Sequence, residues 1–417
     1  MKRTLFIAGG AALSMLGWLA FHSTQRLHNS VVQAASVQAP RFEVDPLWPK
    51  PLPNHWVLGM TIGVTVDPQD HVWIIHRPAS IDPYGGYAAE NPPRGECCAP
   101  APNVLEFDQA GNLLRHWGGP GEGYDWPLED HGITADSKGN LWLAASGRVV
   151  PCCTPPPPTP RVAVGQSDVI GYAHDNMILK FSPDGKFLLQ IGKPSQSKGS
   201  NDTENLRLAT KVIVDPKTNE VYVADGYGNH RVIVYDAETG KYKRHWGAYG
   251  AKPSDIKEPP YSPDNPPSKQ FNTVHCVAFS NDNLLYVCDR VNDRIQVFKP
   301  DGTFIKEAII AKNTRAEGSV WDIEFSKDPQ QKYMYVADGV NEKIRILLRD
   351  TLQEITAFGD GGLQPGEFHG VHNIAVDSKG NIYTTETSMG RRVQRFMYKG
   401  LAPVTAANQG VVWPKAK

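Results

Sequence analysis

One short pattern recurs six times along this 417-residue chain and constrains the fold more than any other feature. Each copy has a strand ending in Asp or Ser, a tight turn and a second apolar strand, as in "ITADSKGNLWLAAS" (133–146) and "VIVDPKTNEVYVADG" (212–226). A partner hairpin such as "ILKFSPDGKFLLQIG" follows each copy. Alternating apolar residues around Asp-Gly, Lys-Gly and Ala-Gly turns predict antiparallel hairpins. Two hairpins make one four-stranded sheet, so the repeats predict an all-β, six-bladed β-propeller.

The repeats also define the domain boundaries. The last copy supplies only three strands, so a strand from within 41–60 is expected to complete that blade and close the ring. The propeller is therefore predicted over residues 41–400, with a C-terminal tail at 401–417. Two blades carry proline-rich insertions, at about 78–102 and 147–175, which are expected to be loops over one face.

Residues 1–35 have the layout of an export segment. Lys2 and Arg3 precede an apolar run from Leu5 to about Phe21, and small residues follow near 34–36. This order predicts a signal peptide, and an uncleaved N-terminal membrane anchor is the alternative. Both interpretations place the propeller outside the cytoplasm, in a periplasm or in the extracellular space.

The six cysteines agree with an oxidising compartment, where an even number suggests disulfides. Cys276 and Cys288 are predicted on consecutive strands joined by a short turn, close enough to pair across the hairpin. The other four form one vicinal pair in each insertion, and disulfides between the pairs would link the insertions: Cys97, Cys98, Cys152 and Cys153. Zinc binding by these pairs is the alternative, although their spacing is not that of a known zinc finger or ribbon.

The charge balance excludes one class of partner. Lys and Arg number 43 against 44 Asp and Glu, which gives a net charge of -1. A protein that binds nucleic acid over a broad surface is expected to be basic, so no nucleic-acid partner is predicted. The sequence does not specify an oligomeric state.

Three histidines occupy the same position in alternate copies. Five residues before the Asp or Ser that ends each first strand stand Ile62, His131, Thr210, His275, Trp321 and His372. The first strand of each blade lines the central channel, so the three histidines are expected to converge on the axis, about 120° apart. Three imidazoles with one open position are typical of a zinc site. His369 is out of this register and is expected in a loop or beside the ligands.

The second strands end on the same face because they run antiparallel to the first. Arg77, Tyr227 and Arg290 occupy such ends, so two guanidinium groups and a phenol are expected around the metal. Arginine suits a carboxylate, which predicts a small-molecule or peptide substrate that carries one. A tyrosine near cations can act as a base. The acidic residues repeated at these ends are interpreted as structural: Asp225, Asp289 and Asp338.

Several segments resemble the peptidyl-α-hydroxyglycine α-amidating lyase family: "LEDHGITADSKGNLWLA", "VADGYGNHRVIVY", "FNTVHCVAFS", "VCDRVNDRIQVF" and "FHGVHNIAVDSKGNIY". The resemblance covers most of the chain after about residue 55. It implies an NHL-like six-bladed propeller that cleaves the N–C bond of a peptidyl-α-hydroxyglycine to a peptide amide and glyoxylate. It also implies Zn²⁺ on His131, His275 and His372. Tyr227 would be the base, and Arg290 and Arg77 would stabilise the carboxylate or developing charge.

The resemblance further implies a structural Ca²⁺ on the channel axis, held largely by backbone carbonyls. Its ligands would fall on Val64, Ile133 and Asn373. The family has an aspartate directly after the third histidine, where this chain has Asn373, and a methionine two residues before that histidine, where it has Gly370.

Two other functions remain compatible with the repeats. One is a non-catalytic NHL-type propeller that acts as a protein-binding scaffold. The other is a calcium-dependent lactonase-like hydrolase, a class that usually gathers carboxylate and asparagine ligands, which the ring of histidines argues against. Metal content separates the three functions, since the lyase predicts zinc, the hydrolase calcium alone and the scaffold neither.

Overall fold

Six four-stranded antiparallel sheets follow one another along the chain in a computed structural model, which describes residues 37–81, 85–148 and 174–414. This arrangement confirms the predicted all-β, six-bladed propeller. The segment predicted to direct export, residues 1–35, lies outside the described residues. Within the part of the chain that is described, no helix is long and apolar enough to cross a membrane.

The strands in chain order begin with β1 (Gln38–Asp45), β2 (Trp56–Val57), β3 (Met60–Val66), β4 (Val72–Arg77), β5 (Ala99–Pro100), β6 (Val104–Phe107), β7 (Leu113–Trp117), β8 (Asp130–Ala135) and β9 (Leu141–Ala145). They continue with β10 (Met177–Phe181), β11 (Phe187–Gly192), β12 (Lys211–Asp215), β13 (Glu220–Asp225), β14 (Arg231–Asp236), β15 (Tyr242–Trp246), β16 (Val274–Phe279), β17 (Leu285–Asp289) and β18 (Arg294–Phe298). The last are β19 (Phe304–Ile309), β20 (Asp322–Phe325), β21 (Tyr333–Asp338), β22 (Lys343–Leu348), β23 (Gln353–Phe358), β24 (Val371–Val376), β25 (Ile382–Glu386) and β26 (Val393–Pro403).

Each blade takes consecutive strands, with two exceptions. Blade 1 contains β3, β4, β6 and β7, because β5 lies in the first insertion and pairs with β2. Blades 2 to 5 are β8–β11, β12–β15, β16–β19 and β20–β23. Blade 6 contains β24, β25 and β26, and β1 completes it as the outer strand.

The N-terminal strand closes the ring, as the sequence predicts. It begins at Gln38, slightly before the expected 41–60 window. Its inward residue Phe42 packs against the rings of Tyr335 and Phe358 from blade 5, at centroid distances of 5.6 and 5.2 Å. Closure therefore buries an aromatic contact and also covers the edge of β26 that would otherwise be unpaired.

The residues after β26 return to blade 5. The backbone N–H groups of Ala357 and Gly359 donate to the carbonyls of Ala407 and Gly410, each at 2.9 Å. Val412 is buried in the hydrophobic cluster that joins blades 5 and 6. Part of the segment predicted as a tail thus contributes to the core.

The hydrophobic core lies between the blades. Each of the six buried apolar clusters combines residues from two neighbouring blades, so the ring is held together all the way round. Polar contacts repeat within the blades as well. The aspartate that ends the first strand accepts an indole N–H in blades 1 and 2, from Trp73 to Asp67 and from Trp142 to Asp136.

Acid–arginine pairs join the second and third strands of four blades. The pairs are Asp225–Arg231, Asp289–Arg294, Asp338–Arg345 and Glu386–Arg392, at 2.7–2.8 Å. All four acids are completely buried, so these pairs fix the strand ends that face the candidate site. The contacts agree with the structural role that the sequence suggests for Asp225, Asp289 and Asp338.

Two disulfides lie within the residues that the structure describes. Cys276 on β16 and Cys288 on β17 are directly opposite and bonded, as predicted for this hairpin. Cys97 is bonded to its neighbour Cys98, which leaves neither sulfur available for the expected link between the insertions. Cys152 and Cys153 lie outside the described residues.

Candidate metal centre and active site

The three register histidines lie at β-bulges of the inner strands. His275 is the extra residue in the pairing of β16 with β17, and His372 is the extra residue in the pairing of β24 with β25. In blade 2 the irregularity spans His131 and Gly132. A bulge breaks the regular alternation of side chains and re-aims one of them. The local backbone therefore allows a histidine from each of three blades to turn towards the channel.

Two glycines allow the inner strands to approach one another closely. A Cβ atom at Gly132 would lie 2.5 Å from the carbonyl oxygen of Thr210 in blade 3. A Cβ atom at Gly63 would lie 2.9 Å from the backbone nitrogen of Ile133 in blade 2. Both distances are far below ordinary van der Waals contact, so any larger residue would push the blades apart. The glycines thus keep the channel narrow where the histidines meet.

Each imidazole is held through its Nδ1 atom. His131 donates to the carbonyl of Thr210 at 2.8 Å, and His275 donates to the carbonyl of Trp321 at 2.5 Å. His372 donates to the side-chain oxygen of Asn373 at 2.5 Å. These oxygens only accept, so Nδ1 carries the proton in all three rings and Nε2 keeps its lone pair.

Burial lowers the pKa of all three imidazoles. Desolvation is the largest cause in each case, and nearby arginine charges lower the values further. The pKa of His372 falls to about 3, and those of His131 and His275 lie well below their usual value. The histidines are therefore neutral at physiological pH, which is the form that binds metal ions.

The donor set fits a metal ion. One ligand nitrogen from each of His131, His275 and His372 lies within 4.8 Å of the others, and the ring centroids are 4.8–5.0 Å apart. Anchoring of the distal nitrogen by a backbone or side-chain oxygen is the usual support for a histidine ligand. The buried triad can hold a metal ion, as the register of the repeats predicts.

The predicted tyrosine and one predicted arginine meet the triad. The phenol oxygen of Tyr227 is 3.2 Å from Nε2 of His275 and 3.3 Å from Nε2 of His131. Arg290 donates from Nη1 to the same phenol oxygen at 3.0 Å. The guanidinium also lies 4.7 Å from the centroid of the Trp321 ring. The phenol is thus held between a cation and the candidate metal site.

Arg77 and Arg290 line one cavity together with Tyr227 and two of the three histidines. Both arginines have carboxylate partners. Arg77 donates from Nε to the carbonyl of Asp130 at 2.8 Å, and its Nη1 lies 3.2 Å from the carboxylate of Glu129. Arg290 pairs through Nη2 with Glu317, whose side chain is 52% exposed. Burial raises the pKa of Glu129, although the charge of Arg77 opposes this rise.

The cavity contains further polar residues that the sequence argument missed. Its lining includes Ser146, Arg148, Glu317 and Ser388. Arg148 and Ser388 follow the second strands of blades 2 and 6, so the strand-end rule that selected Arg77 would also have found them. Glu317 lies in the connection between blades 4 and 5, and the repeat pattern gives no signal for it.

Calcium is predicted to bind largely through backbone carbonyls at Val64, Ile133 and Asn373, and of these Asn373 alone has a polar side chain. That side chain does not favour a divalent cation. The side-chain oxygen of Asn373 already accepts from His372, and its nitrogen donates to Asp322 at 2.9 Å. The ammonium of Lys211 lies 2.6 Å from the other oxygen of Asp322. A neutral, fully engaged amide beside a buried ammonium is a poor calcium site, and no role for calcium is derived.

Comparison with known proteins gives distant relatives. No family model matches the chain. Peptidyl-glycine alpha-amidating monooxygenase from Mus musculus is 29% identical over 181 residues, which are 42% of this chain and 14% of that protein. Peptidyl-alpha-hydroxyglycine alpha-amidating lyase 1 from Drosophila melanogaster is 25% identical over 377 residues, 85% of this chain and 59% of that protein. The chain thus spans less than two thirds of these two relatives.

Other matches extend over nearly the whole chain. NHL repeat-containing protein 3 from Mus musculus is 22% identical over 423 residues, 95% of this chain and 97% of that protein. A virginiamycin B lyase structure from Staphylococcus aureus is 13% identical, covers 86% of this chain and 89% of its own, and has a TM-score of 0.44. The chain is therefore distantly homologous to amidating lyases and to an NHL repeat protein.

Proposed function

We propose that this chain is a zinc-dependent lyase that cleaves the carbon–nitrogen bond of a carbinolamide of the peptidyl-α-hydroxyglycine type. The products are an amide and glyoxylate. One observation carries the proposal: three neutral histidines converge on the axis with the Tyr227 phenol 3.2–3.3 Å from two of them. The distant homology to the Drosophila lyase supports this substrate class.

Tyr227 has the position of a general base. Zinc held by His131, His275 and His372 would act as a Lewis acid that makes the substrate hydroxyl more acidic. The Tyr227 oxygen takes the hydroxyl proton as the carbon–oxygen double bond forms. The carbon–nitrogen bond breaks, its electron pair goes to the amide nitrogen, and that nitrogen receives the proton from Tyr227. The reaction consumes no water, because one carbinolamide yields one amide and one glyoxylate.

The two arginines would bind the carboxylate and stabilise developing charge. Arg290 keeps Nη1 on the Tyr227 oxygen, where a guanidinium stabilises negative charge that develops during proton transfer. Its Nη2 is occupied by Glu317, which is exposed and can be displaced by a substrate carboxylate. Arg77 contributes from another blade through the same cavity.

An extracytoplasmic location belongs to the same proposal. The Cys276–Cys288 disulfide supports an oxidising compartment. The export segment at residues 1–35 remains a prediction from the sequence.

Metal analysis and a glyoxylate assay with α-hydroxyhippurate test the proposal. We expect about one zinc per chain, because three histidines hold a single ion in sites of this type. We also expect release of glyoxylate. His131→Ala should lose both. Tyr227→Phe should retain zinc and lose roughly 10²–10⁴-fold in kcat, the usual worth of a positioned base. Tyr242→Phe on the exposed outer strand β15 is the matched control and should resemble wild type. A zinc-loaded protein that releases no glyoxylate would contradict the substrate class.

A non-catalytic scaffold is the second candidate, because the similarity to NHL repeat-containing protein 3 extends over 97% of that protein. The scaffold predicts no stoichiometric metal and no effect of Tyr227→Phe on any glyoxylate signal. Calcium without zinc would favour the lactonase-like hydrolase instead.

A further inference from the structure

Four side chains form a continuous chain of contacts beside the metal triad. The ammonium of Lys211 lies 2.6 Å from one carboxylate oxygen of Asp322. The other oxygen of Asp322 accepts from the amide nitrogen of Asn373 at 2.9 Å. The amide oxygen of Asn373 accepts from Nδ1 of His372 at 2.5 Å. Three of these residues come directly after the equivalent channel-facing positions of blades 3, 5 and 6, which are Thr210, Trp321 and His372. They are Lys211, Asp322 and Asn373, so the contacts span the channel.

The four side chains in this series of contacts are buried, and the positive charge among them balances the negative charge. Asp322 is fully buried, and Lys211 and Asn373 are nearly so. A buried carboxylate or ammonium is costly unless it is paired and hydrogen-bonded. The second oxygen of Asp322 also accepts from the backbone N–H of Ile374 at 3.2 Å. Lys211 therefore supplies within the protein the positive charge that Asp322 requires.

The ion pair also determines the orientation of a candidate metal ligand. The Asp322 carboxylate only accepts, so the Asn373 amide must present its nitrogen to Asp322 and its oxygen to His372. That oxygen requires the proton of His372 to be on Nδ1, which leaves Nε2 free to bind a metal. The order of the contacts thus links the charge of Lys211 to the tautomer of His372.

We propose that Lys211 is the resident cation of the channel and, through Asp322 and Asn373, a positioning residue for His372. The metal centre then needs no calcium beside it. The positioning part rests on the metal site of the proposed function, whereas the resident-cation part does not. The neutral Asn373, in place of the family's aspartate, agrees with a channel that already holds a positive charge.

A charge-swap variant tests the resident cation. The protein is first stripped of zinc, so that a chelator cannot act through the candidate zinc site, and thermal unfolding is then measured in EGTA and in millimolar calcium chloride. Wild type should show the same Tm in both. Lys211→Met/Asn373→Asp places two carboxylates side by side without a cation, so its Tm should fall in EGTA and rise with calcium by mass action. Lys241→Met, an exposed lysine in the same blade, is the control and should show no calcium response. Stoichiometric calcium in wild type, with a Tm that falls in EGTA, would overturn the proposal.

Cobalt(II) binding tests the positioning role. Lys211→Met should weaken cobalt affinity roughly 10–100-fold and alter the ligand-field spectrum, as loss of a ligand's supporting partner does. Lys211→Met/Asp322→Asn removes both charges but retains an oxygen for the Asn373 nitrogen, so it should recover affinity to within a few-fold of wild type. If Lys211→Met does not fold, calcium rescue of Lys211→Met/Asn373→Asp decides the question of the cation. A folded Lys211→Met with wild-type affinity and spectrum overturns the positioning role.

Different experimental results would contradict the proposed function and the role of Lys211 as the resident cation. Wild type that binds no cobalt or zinc overturns the proposed function and the positioning role together. The calcium response of the charge-swap variant still decides whether Lys211 is the resident cation.

Discussion

Cys276 is bonded to Cys288 between β16, which carries His275, and β17, which Arg290 directly follows. His275 directly precedes one cysteine, and Arg290 follows the other by two residues. The disulfide therefore ties a candidate metal ligand to the arginine that contacts the Tyr227 phenol. Both sulfurs are fully buried in the cluster between blades 4 and 5.

Removal of this disulfide should weaken both the fold and the metal site. Cys276→Ala/Cys288→Ala is expected to lower the free energy of unfolding by about 2–4 kcal/mol, the usual range for a natural disulfide. Zinc affinity should fall as well, because the bulge that presents His275 lies next to the lost bond. Urea unfolding and zinc titration measure the two effects. The variant Cys97→Ser/Cys98→Ser is the control, since its disulfide closes no intervening chain, and equal losses in both variants would contradict this prediction.

Glu317 should compete with anionic substrates for Arg290. Its exposed carboxylate pairs with Nη2 of Arg290 inside the candidate cavity. We expect Glu317→Gln to lower KM for α-hydroxyhippurate several-fold, because the neutral amide holds the guanidinium less strongly. The measurement is steady-state release of glyoxylate.

The matched comparison uses a substrate with an amide in place of the carboxylate. Its KM should be unchanged by Glu317→Gln, because no negative charge competes for Arg290. An equal shift in KM for both substrates would show that Glu317 acts by shaping the cavity rather than by charge.

The sequence predicts the triad because register counting is independent of the loops. His131, His275 and His372 occupy equivalent positions, and the closed ring places equivalent positions around one axis. The Lys211–Asp322 contact could not be predicted, since it crosses the channel between blades that are distant in sequence. Glu317 lies in a connection without a repeated pattern. The Cys97–Cys98 bond could not be predicted, because the sequence of two vicinal pairs does not distinguish a bond within a pair from bonds between the pairs.

The stability of blade 1 should depend on pH through His76. This imidazole is fully buried, accepts the N–H of Gly59 at Nδ1 and donates from Nε2 to the carbonyl of Pro102. Burial lowers its pKa from 6.5 to about 4. Between these values the unfolded chain binds a proton that the folded chain does not, so stability is complete above pH 6.5 and falls as the pH drops towards 4. The loss should be about 3 kcal/mol at most.

Chemical unfolding from pH 7 to pH 4 measures this dependence. His76→Gln retains one donor and one acceptor but does not titrate. The slope of its unfolding free energy against pH should therefore be smaller than that of wild type, by the contribution of about one bound proton. The remaining buried histidines titrate in both proteins and cancel in the comparison. Identical pH slopes for wild type and variant would rule out His76 as the source.

The acid–arginine pair of blade 3 should be among the most sensitive positions outside the metal site. Asp225 pairs with Arg231 at 2.8 Å, accepts the backbone N–H of Arg207 and lies two residues before Tyr227. Asp225→Ala leaves a fully buried guanidinium without its carboxylate and should cost about 3–5 kcal/mol of unfolding free energy. The control is Glu90→Ala, which breaks an exposed pair with Arg94 and should cost far less, because water screens an exposed pair. Because the same aspartate fixes the strand end that presents Tyr227, kcat should fall in the folded fraction as well. A variant that loses stability and retains full kcat would show that the pair supports the blade and not the base.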